Sequence, residues 1–180
     1  MTFTIRIKLF GAFSLFLALL VTTSFLSLNK MANMGRMSIE VNTNSIPSIS
    51  LLSSMNNNIA NVDRLAVGMV LEPDSAEKQK LQTKMESYLA ELKDKRSEFE
   101  KLINTDQEKQ LYDDFSKRWS QYEQALPSII EAAQANNAGA ANYHITEARP
   151  AFNGADDRLD SLASLALEDA SQAGTQSLQT

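Results

Sequence analysis

The sequence predicts an all-α protein: an up-down-up-down four-helix bundle preceded by an N-terminal transmembrane helix. Three observations predict it. The first is an uncharged apolar run from Leu9 to Leu28, LFGAFSLFLALLVTTSFLSL. The second is the recurrence of apolar residues in steps of three and four along four later segments, parted by polar breaks. The third is composition: six glycines and four prolines in 180 residues are too few for the turns of an all-β protein of this size.

At about 1.5 Å rise per residue, Leu9 to Leu28 makes roughly 30 Å of helix, the thickness of a bilayer core. Arg6 and Lys8 stand just before it and the chain after it is mostly acidic. The positive-inside rule therefore puts residues 1–8 in the cytoplasm and everything from about Asn29 outside. A cleaved signal peptide shares the basic start and apolar middle. The run is longer than the usual signal core, however, and Asn29-Lys30-Met31-Ala32 offers no small-x-small cleavage site, so an uncleaved anchor is expected.

Residues 29–180 form the expected bundle. Its first helix leaves the membrane through Asn29–Asn44, is bent at Pro47, which removes one helical hydrogen bond, and carries Met55, Ile59, Val62, Ala66 and Met69 on one seam. It ends near Leu71, where Pro73 discourages a helical residue before it and Asp74 or Ser75 can cap the next helix. The second helix, 76–102, carries Leu81, Met85, Tyr88, Leu92, Phe99 and Leu102. Thr105 followed by Glu108 is a capping box that opens the third, 106–135, with Leu111, Phe115, Trp119 or Tyr122, Leu126, Ile129 and Ala133. Pro127 kinks this helix without ending it, because the apolar spacing continues past it.

The fourth helix, 140–180, carries Ile145, Ala148, Phe152, Ala155, Leu159, Leu162 and Ala166, with Pro150 and Gly154 loosening its first turns. No stop signal precedes Thr180, so the chain reads as the N-terminal fragment of a longer protein whose fourth helix returns to the membrane. The second and third helices span roughly 40 Å and the first, measured from the membrane, nearer 60 Å. The first and fourth thus extend below the others, and a like helix from a second copy can bury the uncovered seam.

Composition excludes several functions. The 17 basic residues less Arg6 and Lys8 leave 15 against 22 acidic ones, a formal −7 outside the membrane, which disfavours nucleic acid. The chain has no cysteine, so it holds no disulfide, thiol nucleophile or cysteine-based metal site. His144 is the lone histidine and reads as a surface residue, with no second imidazole for a metal. Asp113-Asp114 and Asp156-Asp157 read as solvated faces, since adjacent helical residues point in different directions. No phosphate loop and no nucleophile with its base is present, so neither an enzyme nor a cofactor is expected.

An N-terminal anchor, an up-down bundle and a fourth helix aimed at the membrane resemble the four-helix-bundle sensor domain of bacterial methyl-accepting chemotaxis proteins. Asn61-Val-Asp-Arg-Leu-Ala-Val-Gly-Met-Val-Leu-Glu-Pro-Asp74, Phe115-Ser-Lys-Arg-Trp-Ser-Gln-Tyr122 and Ala148-Arg-Pro-Ala-Phe152 carry the likeness. The resemblance implies a homodimer in the bacterial cell membrane that binds a ligand near the membrane-distal tip, between helices of two subunits. A small shift of the fourth helix then passes the signal inward. In the aspartate-sensing members, Ser-Arg-x-Ala-Val-Arg is similar to Asp63-Arg64-Leu65-Ala66-Val67-Gly68, which keeps one arginine at Arg64. Their ligand-bonding threonine falls on Ala148, so aspartate or serine specificity does not carry over.

Arg64, about two turns below the tip of the first helix, and Arg149, about three turns into the fourth, stand at similar heights. Two guanidiniums at one level can clamp a carboxylate. The alternative is that Arg64 pairs with Asp63 or Glu72, and Arg149 with Glu147 or Asp156, as solvated surface charges. Tyr143 and Thr146 complete the expected ligand site with hydrogen bonds, and the ligand is an anionic organic acid or amino acid, or a liganded periplasmic binding protein. Asn56-Asn57-Asn58 suggests an interface or pocket, while Trp119 and Tyr122 read as core. The rival readings are the sensor region of a histidine kinase or cyclase, and a ligand-free membrane-tethered helical structural protein.

Overall fold

The apolar steps of three and four fold into five α-helices in the computed structural model, which describes residues 5–178. Helix α1 spans Ile5–Glu40 and passes through a π turn, Val41–Ser45, into α2, Ile46–Leu71. Then come α3, Ser75–Phe99, α4, Asp106–Gln134, and α5, Ala138–Leu178. The four long segments from α2 onward make the bundle, with α3 beside α2, α5 between α2 and α4, and α1 running on beyond it along the lower part of α5.

Each boundary has a local cause. Pro47 sits in the first turn of α2, where its missing N–H and its ring would disturb a regular α turn before it. The wider π turn Val41–Ser45 relieves that conflict and keeps the helix running, so the expected bend at Pro47 takes the form of a π bulge. Glu72 is extended ahead of Pro73 (φ −82°, ψ 121°), and the Asp74 carboxylate caps α3 by accepting from the backbone N–H of Ala76 (2.8 Å) and Glu77 (2.9 Å). The capping box is present: Glu108 N–H donates to Thr105 Oγ1 (3.1 Å) and Thr105 N–H to Glu108 Oε2 (3.1 Å). Helix α3 stops at Phe99, and Leu102 of the expected seam lies in the turn that follows, half-buried.

Helix α4 runs unbroken through Pro127 and ends in a Schellman turn. Asn136 takes a positive φ of 55°, its N–H reaches Ala133 O (3.1 Å), and Asn137 N–H reaches Ala132 O (2.9 Å). Lys78 on α3 completes this end. Only 3% exposed, it donates its ammonium to Ala133 O and to Asn136 Oδ1 (2.7 Å), a cation at the negative end of the α4 dipole.

The seams meet in one core. Met55, Ile59, Val62, Ala66 and Met69 of α2 are fully buried, against Met85, Leu92 and Phe99 of α3, Phe115, Trp119, Tyr122 and Ile129 of α4, and Ala155, Leu159 and Leu162 of α5. Two buried donors, Asn58 Nδ2 and Trp119 Nε1, have no acceptor among the described residues.

Below the core, Asn44 donates to Leu102 O (3.1 Å) and Asn104 to Glu40 (3.0 Å), so the α3–α4 connection seats against the π turn. Among the residues whose side chains are described, every one from Phe13 to Leu28 is exposed, as are Met31, Met34 and Ile39 of α1 and Ile46 at the start of α2. No helix is long and apolar enough to cross a membrane among the residues so described. The first four residues of the expected span, Leu9–Ala12, and the flanking Arg6 and Lys8 lie outside the residues whose side chains are described.

Candidate functional site

Three helices converge on one carboxylate in the distal half of the bundle. Asp63 of α2 accepts from Arg149 Nη1 of α5 (2.8 Å) through one oxygen and from the Tyr122 hydroxyl of α4 (2.9 Å) through the other. The Asp63 side chain is 16% exposed and that of Arg149 36%. The guanidinium lies 5.5 Å from the centre of the Phe152 ring, and Phe152 and Trp119 each stand 5.3 Å from Tyr122, so an aromatic stack backs the ion pair. Burial first, and then the charge of Asp63, push the Tyr122 phenol well above its ordinary pKa. It stays a neutral donor to Asp63 throughout the physiological range.

Arg149 therefore pairs across the bundle with Asp63, instead of with Glu147 or Asp156 on its own helix. Arg64 pairs with neither Asp63 nor Glu72: it is exposed and donates to Asn61 Oδ1 one turn back, while Asn61 holds Asn57 O (2.8 Å). Tyr143 is 63% exposed, its ring 5.5 Å from that of His144. Thr146 is exposed too, one turn from Arg149 along α5, and donates back to Asn142 O (2.8 Å). The expected residues thus divide into Arg149, bound into the bundle, and three solvent-facing groups, Arg64 on α2 and Tyr143 and Thr146 on α5.

A second cluster lies lower on the α4–α5 face. Asp114 accepts from Arg118 Nε (3.1 Å) and Arg158 Nε (2.6 Å), and these two guanidiniums, Arg158 first, hold its carboxyl below the usual carboxylate range. Arg118 lies flat on Gly154, where an added Cβ would come within 2.5 Å of its Nη1. Asp114 is therefore no solvated face residue, whereas Asp113 forms the exposed pair with Lys109 (2.9 Å). Asn56 donates to Asp160 Oδ1 (3.0 Å) across an α2–α5 groove of about 450 Å³ that Asn57 also lines.

Sequence reasoning missed Asp63 as the partner of Arg149 because 86 positions separate them and only the register of α2 against α5 brings them together. Its signal was an acid placed next to the Val62 seam position.

The structure is an all-helical bundle whose helices are tied by ion pairs, Asp63–Arg149 between α2 and α5 and Asp114–Arg158 between α4 and α5. The family model of the four helix bundle sensory module for signal transduction matches residues 2–180. The chain belongs to that family, the sensory modules of methyl-accepting chemotaxis signal-transduction proteins. No curated protein matches it.

Proposed function

We propose that this chain is the extracytoplasmic sensor of a transmembrane chemoreceptor in the bacterial cell membrane, anchored by Leu9–Leu28. A small carboxylate, an organic acid or amino acid, binds near the distal end. It contacts Arg64 and Arg149, with Tyr143 and Thr146 supplying hydrogen bonds. One observation carries this reading: the Asp63–Arg149 pair ties α2 to α5 beside Arg64 while one third of the arginine stays open to solvent. A guanidinium has five N–H donors, so a ligand carboxylate can add to Arg149 or displace Asp63 from it. Either outcome alters the link between α2 and α5, the helix that continues toward the membrane.

The exposed apolar side chains of Phe13–Leu28 support the anchor, since water disfavours so large an uncovered surface and lipid does not. Met31, Met34, Ile39 and Ile46 support a homodimer in which α1 and α2 of a second copy cover them.

The chain has no cysteine, so one introduced at exposed Ser75 is a clean probe of sidedness. An impermeant maleimide labels it in intact cells if the bundle lies outside. Labelling only after lysis contradicts the topology. A thermal-shift screen of amino acids and organic acids on the full chain then tests the sensor: a saturable rise in Tm with a carboxylate is expected. A screen without any responder leaves the tethered structural protein as the better account.

A further inference from the structure

A second feature lies on the opposite side of the bundle from the α2–α5 link. Helices α3 and α4 are joined by side chains at two levels. At the distal end, Lys78 and Gln82 reach Ala133, Asn136 and Gln134. Lower down, Arg96 donates to the Tyr112 hydroxyl (3.2 Å) and to Ser116 Oγ (3.1 Å). Between the two levels the helices part at a half-open surface groove of about 440 Å³.

Its walls are chemically one-sided. Leu89 and Leu92 are apolar, and Trp119 is fully buried, its indole N–H lacking an acceptor among the described residues. Arg96 is held by its two hydrogen bonds and by the Tyr112 and Phe115 rings, 5.9 and 5.6 Å from its guanidinium carbon. Tyr112 is fixed in turn by donating to Glu100 Oε1 (2.6 Å). The guanidinium is thus oriented in advance and keeps donors to spare. Lys93 is exposed at the rim and forms no ion pair among the described residues, and Glu123 supplies the one carboxylate of the lining. A guanidinium and an ammonium beside the apolar Leu89 and Ala90 call for one anionic group on an apolar body.

We propose that the α3–α4 groove is a second ligand site, separate from Arg64 and Arg149, that takes a small apolar monocarboxylate. The carboxylate meets Arg96 and Lys93, and the apolar body lies on Leu89 and Ala90, with the buried Trp119 next to it in the lining. Glu123 sets the specificity by repelling a second carboxylate, so monoanions are accepted and dianions refused.

Trp119 is the sole tryptophan, so its fluorescence reports this groove directly. The full chain is titrated with benzoate and, separately, with succinate. Benzoate is expected to change the Trp119 emission saturably, with succinate at least about tenfold weaker. Lys93→Gln, an exposed change that spares the core, weakens benzoate about tenfold. Glu123→Gln raises succinate affinity several-fold while keeping benzoate, a gain that misfolding does not produce. No saturable change with benzoate overturns the proposal, and so does equal affinity for the two acids. A benzoate response that moves with Arg64→Ala and not with Lys93→Gln assigns the signal to the α2–α5 site and overturns it as well.

Discussion

Replacing Asp63 by alanine removes the acceptor shared by three helices. The Tyr122 hydroxyl, on a residue 1% exposed, is then left without a partner, and an orphaned buried hydroxyl costs about 1–3 kcal/mol. Arg149 regains water through its exposed third, so its lost ion pair adds no more than about 1 kcal/mol. The sum spans about 1–4 kcal/mol, and its middle, about 2–3 kcal/mol, lowers Tm by roughly 5–10 °C for a chain of this size. The assay is thermal unfolding of the full chain in mild detergent, followed by far-UV circular dichroism. Tyr122→Phe isolates the hydroxyl. In the Asp63→Ala background it should recover about 1 kcal/mol or more, because no orphan remains. A Tm for Asp63→Ala within about 2 °C of the parent, or no recovery in the double variant, would refute the argument that Asp63 joins the helices.

Three further outcomes follow from the packing. Lys78→Met strips the α4 C-terminus of its cation and should cost about 1.5–3 kcal/mol in a urea melt, with faster amide exchange confined to the α4–α5 turn. Gly154→Ala should be close to neutral. The helix-propensity gain of about 1 kcal/mol offsets the displaced Arg118–Asp114 pair, and NMR should show the Asp114 carboxyl rising toward its ordinary pKa. Asp156 is held above its ordinary 3.8, by burial first and then by Asp160 and Asp157. The folded state therefore takes up this proton before the unfolded state as pH falls. Its charge penalty is complete above the folded pKa and gone below 3.8, so Asp156→Asn should be the more stable protein at neutral pH and equal to the parent in strong acid, by denaturant midpoint against pH.

Much of the fold was legible because it depends on short-range spacing. The α2 seam from Met55 to Met69, the Thr105–Glu108 box and the continuity of α4 past Pro127 each rest on residues within a turn or two of one another. The π turn before Pro47 was half legible: proline announces a disturbance, and packing decides whether it becomes a bend, a break or a wider turn. Interactions set by the register between helices were not legible. Lys78 looks like one more charge on a charged helix, and only the end of α4 makes it a buried cap. Arg118 and Gly154 are similarly unremarkable until α4 and α5 are aligned. Arg149 is the instructive case. Its place near the distal end followed from rise per residue, but its partner lay on another helix, so it is half-buried and contributes to the fold as well as to the proposed site.

The central claim is that a small carboxylate binds beside the α2–α5 link, and calorimetric titration tests it most directly. The first carboxylate to emerge from the thermal-shift screen is titrated into the full chain and into Arg64→Ala and Arg149→Ala proteins of unchanged helicity. Loss of a charge-assisted contact should weaken binding by about 1.5–3 kcal/mol, roughly ten- to a hundredfold, in each. Parental affinity in both variants, or a ligand that is cationic or wholly apolar, would contradict the account.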